Sequence, residues 1–349
     1  MIHTLQSLRF IFIMLVVLSH YIGSSFDFGG ECGVSFFFML SGFVLSLAYS
    51  ERISKGLFST KPFCVKQWIK IYPLHIITFI IMFALDLRLE KYCEPEAAIA
   101  NLLLLQSWVP ADSFYFVANS PSWFLCDIMF FYVVFSSLNK LILRVDNIKL
   151  YSISLFVFLL YICLMVVLPS SLVNPVLYAN PLTRLLDFII GIILFKLYIS
   201  DKGIALKDKL VKKSSFVVSS MEFSLILLIV VTAIVYPHLQ PRVRTVFIFW
   251  LSIPLTIFFF ALSDQSKGVV SRFLQGKTML WLGNISFCLY IIHAPVLRIF
   301  NSISVQVGIS DLTTIHFILF TTILILFSHL TNKFNMAFLS KIRNTNFFK

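Results

Sequence analysis

Charge is what this chain of 349 residues has least of: Asp, Glu, Lys and Arg make up 13% of it, against 59% hydrophobic residues. That balance excludes a soluble globular domain, in which about a quarter of residues carry charge. Cysteine is also sparse. The six (Cys32, Cys64, Cys93, Cys126, Cys163, Cys288) show no CxxC or CxxH spacing, so neither a metal site nor a disulfide framework is signalled. The apolar runs lack the strict alternation of an outer-membrane barrel. There is no internal repeat, low-complexity tract or polar stretch suited to an appended soluble domain, so residues 1–349 are expected to form one membrane-embedded unit. The first apolar run has no small-x-small cleavage pattern behind it and is expected to stay as the first helix.

What is present is a series of runs approaching the ~20 apolar residues that a spanning helix needs. They predict an all-α polytopic membrane bundle of about ten spans, roughly 5–22, 34–50, 69–87, 122–143, 150–168, 182–199, 216–236, 245–262, 283–303 and 312–331. The stretch "AAIANLLLLQSWV" (97–109) is too short for a span and reads as re-entrant or interfacial. The net charge of +12 does not point to nucleic acid, because the basic residues fall between spans and report topology. The loops 51–70, 140–149, 196–213 and 263–277 and the tail hold 21 Lys and Arg, whereas the alternate loops hold five: Arg88, Lys91, Arg242, Arg244 and Arg298. The positive-inside rule therefore predicts both termini in the cytoplasm.

Against this background, charges inside spans stand out. Arg9 and His20 share the first span. Eleven residues advance the helix by three turns plus ~20°, placing both on one face ~16 Å apart. One polar stripe lining a buried channel is the functional reading. Snorkelling of Arg9 to the surface and simple packing of His20 are the plainer ones. Lys66 and Lys70 lie one turn apart at the entry to the third span, as phosphate ligands or as ordinary topology anchors. Glu31 falls in the loop after His20. Trp123 marks the membrane interface at the start of the fourth span, with Asp127 one turn deeper. Arg184 and Asp187, three apart, form either a site or a self-neutralising pair, and His293 lies toward the outer end of the ninth span. Most of these groups gather in the outer half, with Arg9, Lys66 and Lys70 at the inner entry. That division suits group transfer across the membrane, from a phosphorylated donor inside to an acceptor outside.

Five motifs in order then resemble the acyltransferase-3 family of polytopic membrane acyltransferases. They are "LRFIFIMLVVLSH", an arginine and a histidine separated by ten residues; "GVSFFFMLSGF" (33–43); "KIYPL" (70–74); "PSWFLCDIMFFY" (121–132); and "SFCLYIIHAPV" (286–296). Two departures stand out. The family's R-x-x-R pair is replaced by Gln67 and Lys70, with Lys66 adjacent, and its glutamate after P-S-W is Asp127. No periplasmic hydrolase-like domain, as some members carry, is expected.

The resemblance implies transfer of an acyl group, most often acetyl, from cytoplasmic acetyl-CoA in the bacterial inner membrane. The acceptor is a hydroxyl on a cell-envelope or exported glycan such as O-antigen, capsule or exopolysaccharide, or in some members a macrolide. His20 would be general base or transient acyl carrier, with Arg9 and Asp127 beside it in the catalytic set. Lys66, Gln67 and Lys70 would hold coenzyme A, and Glu31, Trp123, Arg184 and His293 the acceptor. No metal is implied. A transporter without acyl transfer is the rival reading, although the halves show none of the symmetry common in transporters.

Overall fold

A computed structural model describes residues 2–23, 27–91, 93–244, 247–307 and 314–343. Two expected spans begin outside the described residues, at 245–246 and 312–313, as does the tail's Lys349. Secondary structure is helical throughout the described residues: α1 His3–Ile22, α2 Asp27–Ser54, α3 Thr60–Arg88, α4 Pro95–Leu102, α5 Asp112–Tyr115, α6 Trp123–Arg144, α7 Asn147–Val167, α8 Ser170–Val173, α9 Pro181–Tyr198, α10 Asp201–Lys212, α11 Ser215–Val235, α12 Pro241–Arg244, α13 Phe249–Leu262, α14 Val269–Leu274, α15 Lys277–Val307 and α16 Thr314–Arg343. Among the described residues nine helical stretches are long and apolar enough to cross a bilayer. The expected tenth, 182–199, folds as α9, which holds Arg184, Asp187 and Lys196 in 18 residues.

α9 tolerates those charges because protein, not lipid, surrounds it. Gly42 of α2 sits against the backbone of Phe188, and Gly191 of α9 against that of Met39; a Cβ at either would overlap a carbonyl oxygen of the facing helix. Small residues let two membrane helices approach this closely. The Lys196 ammonium donates to the carbonyls of Ile142 and Val145 at the end of α6, where cations are favoured.

Long helices alternate in direction, so α1 and α15 run parallel: Gln6 bonds Asn284 at one end, and His20 meets His293 farther along. The start of α1 and the end of α16 share one end, here the near end. The Lys-rich segment expected as a loop, 196–213, folds there in part as the amphipathic α10, whose Leu210 is buried while Lys202, Lys209 and Lys212 are exposed. Two carboxylates cap helices at this end. Asp264 accepts from the Thr4 amide at 2.8 Å, and buried Glu222 accepts from the amides of Val270 and Ser271 at 2.8 and 2.9 Å, satisfying donors that a helix start leaves open.

The stretch 97–109 does not span. α4 ends at Leu102, Leu104 takes a left-handed turn (φ 56°), and a 3₁₀ turn follows over Gln106–Trp108. Asn101, Gln106 and Ser107 are buried and bond Val117, Ser122 and Trp123, so irregular backbone at depth is covered by protein. A proline breaks the hydrogen-bond ladder of α15 in the same region. Pro295 has no N–H for the Ile291 carbonyl, and the Asn119 side-chain amide donates to it instead at 3.0 Å.

Candidate functional site

Two cavities open the bundle at opposite ends, and they share no lining residue. The near cavity, about 650 Å³, lies among α1, α2, α3, α6, α15 and α16 and is mostly apolar. Its polar lining includes Arg9, Gln67, Lys70, Tyr132 and Tyr290. Gln67 is buried and accepts from the Lys70 ammonium at 3.5 Å. The Arg9 Nε is buried and has no partner among the described residues, and the side chain lines the cavity. Lys66 departs from the expected donor set: it is exposed and does not line the cavity. On a helix, neighbours at 66 and 67 point about 100° apart, and here it is Gln67 that turns inward with Lys70.

The far cavity, about 590 Å³, is lined by His20 together with Asp86, Lys91, Glu94, Asp112, Arg298 and Asn301. His20 Nδ1 lies 2.9 Å from the Val16 carbonyl. A carbonyl only accepts, so Nδ1 carries the proton and Nε2 keeps its lone pair. That is the tautomer a base or nucleophile needs, and the helix's own backbone sets it four residues back.

Between the cavities lies His293, fully buried. Its Nδ1 donates to the Tyr290 carbonyl at 2.6 Å, and its Nε2 has no partner among the described residues. The His293 ring is 4.8 Å from that of His20, edge-on, and 5.9 Å from that of Tyr290. The Tyr290 hydroxyl donates to the Pro121 carbonyl at 2.6 Å. Arg9 and His20, expected to line one channel, are divided between the two cavities. Each faces its own cavity, and the Tyr290–His293 pair lies between.

The remaining expected residues form a third, buried group that lines neither cavity. Arg184 bonds Asp187 and the Ser35 hydroxyl at 3.2 Å each, and its guanidinium lies 5.0 Å from the Phe38 ring and 5.7 Å from that of Tyr178. Trp250 donates to Asp187 at 2.7 Å. Trp123 is buried, 3% exposed, against Phe38 of α2 and Tyr178. Glu31 faces Tyr236 and the charge of Arg184. Asp127 is fully buried, with the Ser107 hydroxyl and the charge of Arg184 acting on it. This group ties α2, α6, α9 and α13 together.

Tyr290 lies inside the 286–296 motif and Arg298 is one of the basic residues of the alternate loops, but neither they nor Asp86 and Asn301 were read as lining a cavity. The α15 residues carried one signal: 290, 294, 297, 298 and 301 recur at helical spacing on the face that bears His293. Asp86 carried none, since its partner, Arg298 at 2.7 Å, is more than 200 residues away along the chain.

Comparison with known proteins agrees with the motifs. No solved structure matches this chain. Acyltransferase MdmB of Streptomyces mycarofaciens is 26% identical over 286 residues, covering 77% of this chain and 68% of that protein. The family model described as an acyltransferase domain matches residues 2–331, nearly the whole of this multi-pass bundle, and the chain accordingly belongs to the acyltransferase-3 family of membrane acyltransferases.

Proposed function

We propose that this membrane acyltransferase takes an acetyl group from acetyl-CoA at the near cavity and esterifies a hydroxyl of a cell-envelope or exported glycan, such as O-antigen, capsule or exopolysaccharide, at the far cavity. The observation that carries this reading is the division of the polar residues: Arg9, Gln67 and Lys70 at one cavity, His20 at the other. The excess of basic residues, 21 against five, supports a near end in the cytoplasm of a bacterial inner membrane, where acyl-CoA is available. Lys70 and Arg9 supply positive charge for donor phosphates.

In this mechanism His20 Nε2 takes the proton of the acceptor hydroxyl. The oxygen attacks the thioester carbonyl, and the C–S bond breaks as the C–O bond forms. The coenzyme A thiolate leaves and receives the proton from the imidazolium. In the variant by acyl carrier, Nε2 itself attacks the thioester and the C–S bond breaks; the acceptor oxygen then attacks the acyl carbon, the C–N bond breaks, and the hydroxyl proton passes to the coenzyme A thiolate.

The test uses membranes containing the protein, radiolabelled acetyl-CoA and surface glycan from the host, stripped of esters by mild alkali. Wild type is expected to place alkali-labile label on the glycan. His20→Ala, inserted at normal abundance, is expected to lose at least ~100-fold in rate, the low end of what a general base contributes. Transfer at the wild-type rate by His20→Ala overturns the role of His20. Label trapped on the wild-type protein without acceptor, and released by hydroxylamine, identifies the carrier route.

A further inference from the structure

The structure assigns Arg298 and Asn301 of α15, with Asp86 of α3, to gripping the acceptor in the far cavity, and points to a neutral, hydroxyl-rich sugar ring as its class. The assignment rests on the far cavity being the acceptor site. Three observations lead to it. Arg298 Nη1 is fixed on Asp86 at 2.7 Å, and the pair is only 17–20% exposed. Arg298 Nη2 and Asn301 Oδ1 are both buried and have no partner among the described residues. Both residues line the same cavity as His20, and they stand three apart on one helix face, about 5–6 Å between Cβ atoms.

A buried donor and a buried acceptor, each left open, are costly unless something fills them. A sugar hydroxyl both donates and accepts, so two hydroxyls of one ring, or one hydroxyl donating to Asn301 and the ring oxygen accepting from Arg298, satisfy the pair. The Asp86 contact holds the guanidinium still, which removes the ordering cost of a free arginine. The charge of the cavity argues for the neutral class. Among the described lining residues Asp86, Glu94 and Asp112 face Lys91 and Arg298, so carboxylates outnumber cations there and Arg298 is already matched by Asp86. An acidic sugar would meet net like charge. With the ring held on α15, a further hydroxyl is free to face His20.

The experiment measures steady-state transfer of labelled acetyl groups in membranes, with alkali-stripped host glycan as the acceptor probe. The variants are Asn301→Ala, which leaves the ion pair intact, and Arg298→Lys, which keeps charge beside Asp86 but loses the second arm. For each, the expected result is an acceptor KM raised about tenfold, with kcat and the KM for acetyl-CoA within about twofold, the pattern of lost uniform binding. Coenzyme A binding at wild-type affinity shows that the variant is folded. A neutral oligosaccharide fraction is expected to compete with the probe better than a uronic-acid-rich fraction of equal length. An unchanged acceptor KM in both variants, or a preference for the acidic fraction, overturns the assignment while leaving the transfer reaction standing. Absence of any transfer by wild type overturns the functional reading and this assignment with it.

Discussion

Lys66 and Lys70 stand one helical turn apart at the start of α3, and the sequence treats them alike. The fold does not: Lys70 lines the near cavity, half-buried beside Gln67, while Lys66 is exposed outside it. If that cavity holds coenzyme A phosphates, the two lysines contribute unequally. Unit charges 4 Å apart attract by about 4 kcal/mol at an effective dielectric of 20. Desolvating the ammonium and ordering its four-carbon stem offset more than half of this, leaving about 1–2 kcal/mol. That corresponds to ~5–30-fold in affinity. Lys70→Ala is therefore expected to weaken coenzyme A binding about tenfold, and Lys66→Ala by less than about twofold, because an exposed charge at physiological salt is screened beyond about 8 Å. The assay is equilibrium titration of coenzyme A into purified, detergent-solubilised protein at low, physiological and about 1 M salt. The Lys70→Ala difference should shrink toward unity at the highest salt, where screening shortens to about 3 Å. Equal losses for the two variants, or a larger loss with Lys66→Ala, would refute the division read from the cavity.

The remaining predictions concern what holds the site in place. Asn119→Leu should lower the unfolding free energy by about 1–3 kcal/mol by orphaning the Ile291 carbonyl; in a Pro295→Ala background, where residue 295 regains an N–H for that carbonyl, the same change should cost clearly less, and a double-mutant cycle with no coupling sinks the account. Gly191→Ala should force α9 off α2, with a cost of at least about 1–3 kcal/mol and a lowered melting temperature in detergent; a melting temperature equal to wild type would mean that the helices do not meet there. Glu222→Gln leaves one acceptor for two amides at the start of α14, and the expected loss is about 1–2 kcal/mol, read by thermal unfolding; a neutral result removes the capping role.

Much of the architecture was legible in the chain because lipid imposes one strong rule: apolar runs of spanning length become helices. The runs around α1, α2, α3, α7 and α15 needed nothing more. α10 was the opposite case. Its lysines marked a loop by charge, yet Leu210 and Gly203 pack against the bundle and make the segment a helix. The 97–109 stretch was ambiguous for a physical reason as well, since its apolar residues match a half-span and only the buried bonds of Asn101, Gln106 and Ser107 settle how it turns.

For the site, the sequence by itself determined the chemistry that is available: an intramembrane arginine and histidine on one helix face, a basic entry to the third span, and a second histidine in a late span. Those follow from residue type and helical period, which are local. Only the tertiary structure decided how they are shared out. It put Arg9 and His20 at separate cavities and turned Gln67 inward in place of Lys66. It drew Asp127, Arg184, Glu31 and Trp123 into a buried framework, and it paired Asp86 with Arg298. Such partnerships join residues far apart along the chain, and a periodicity of 3.6 residues says which way a side chain faces without saying what stands opposite.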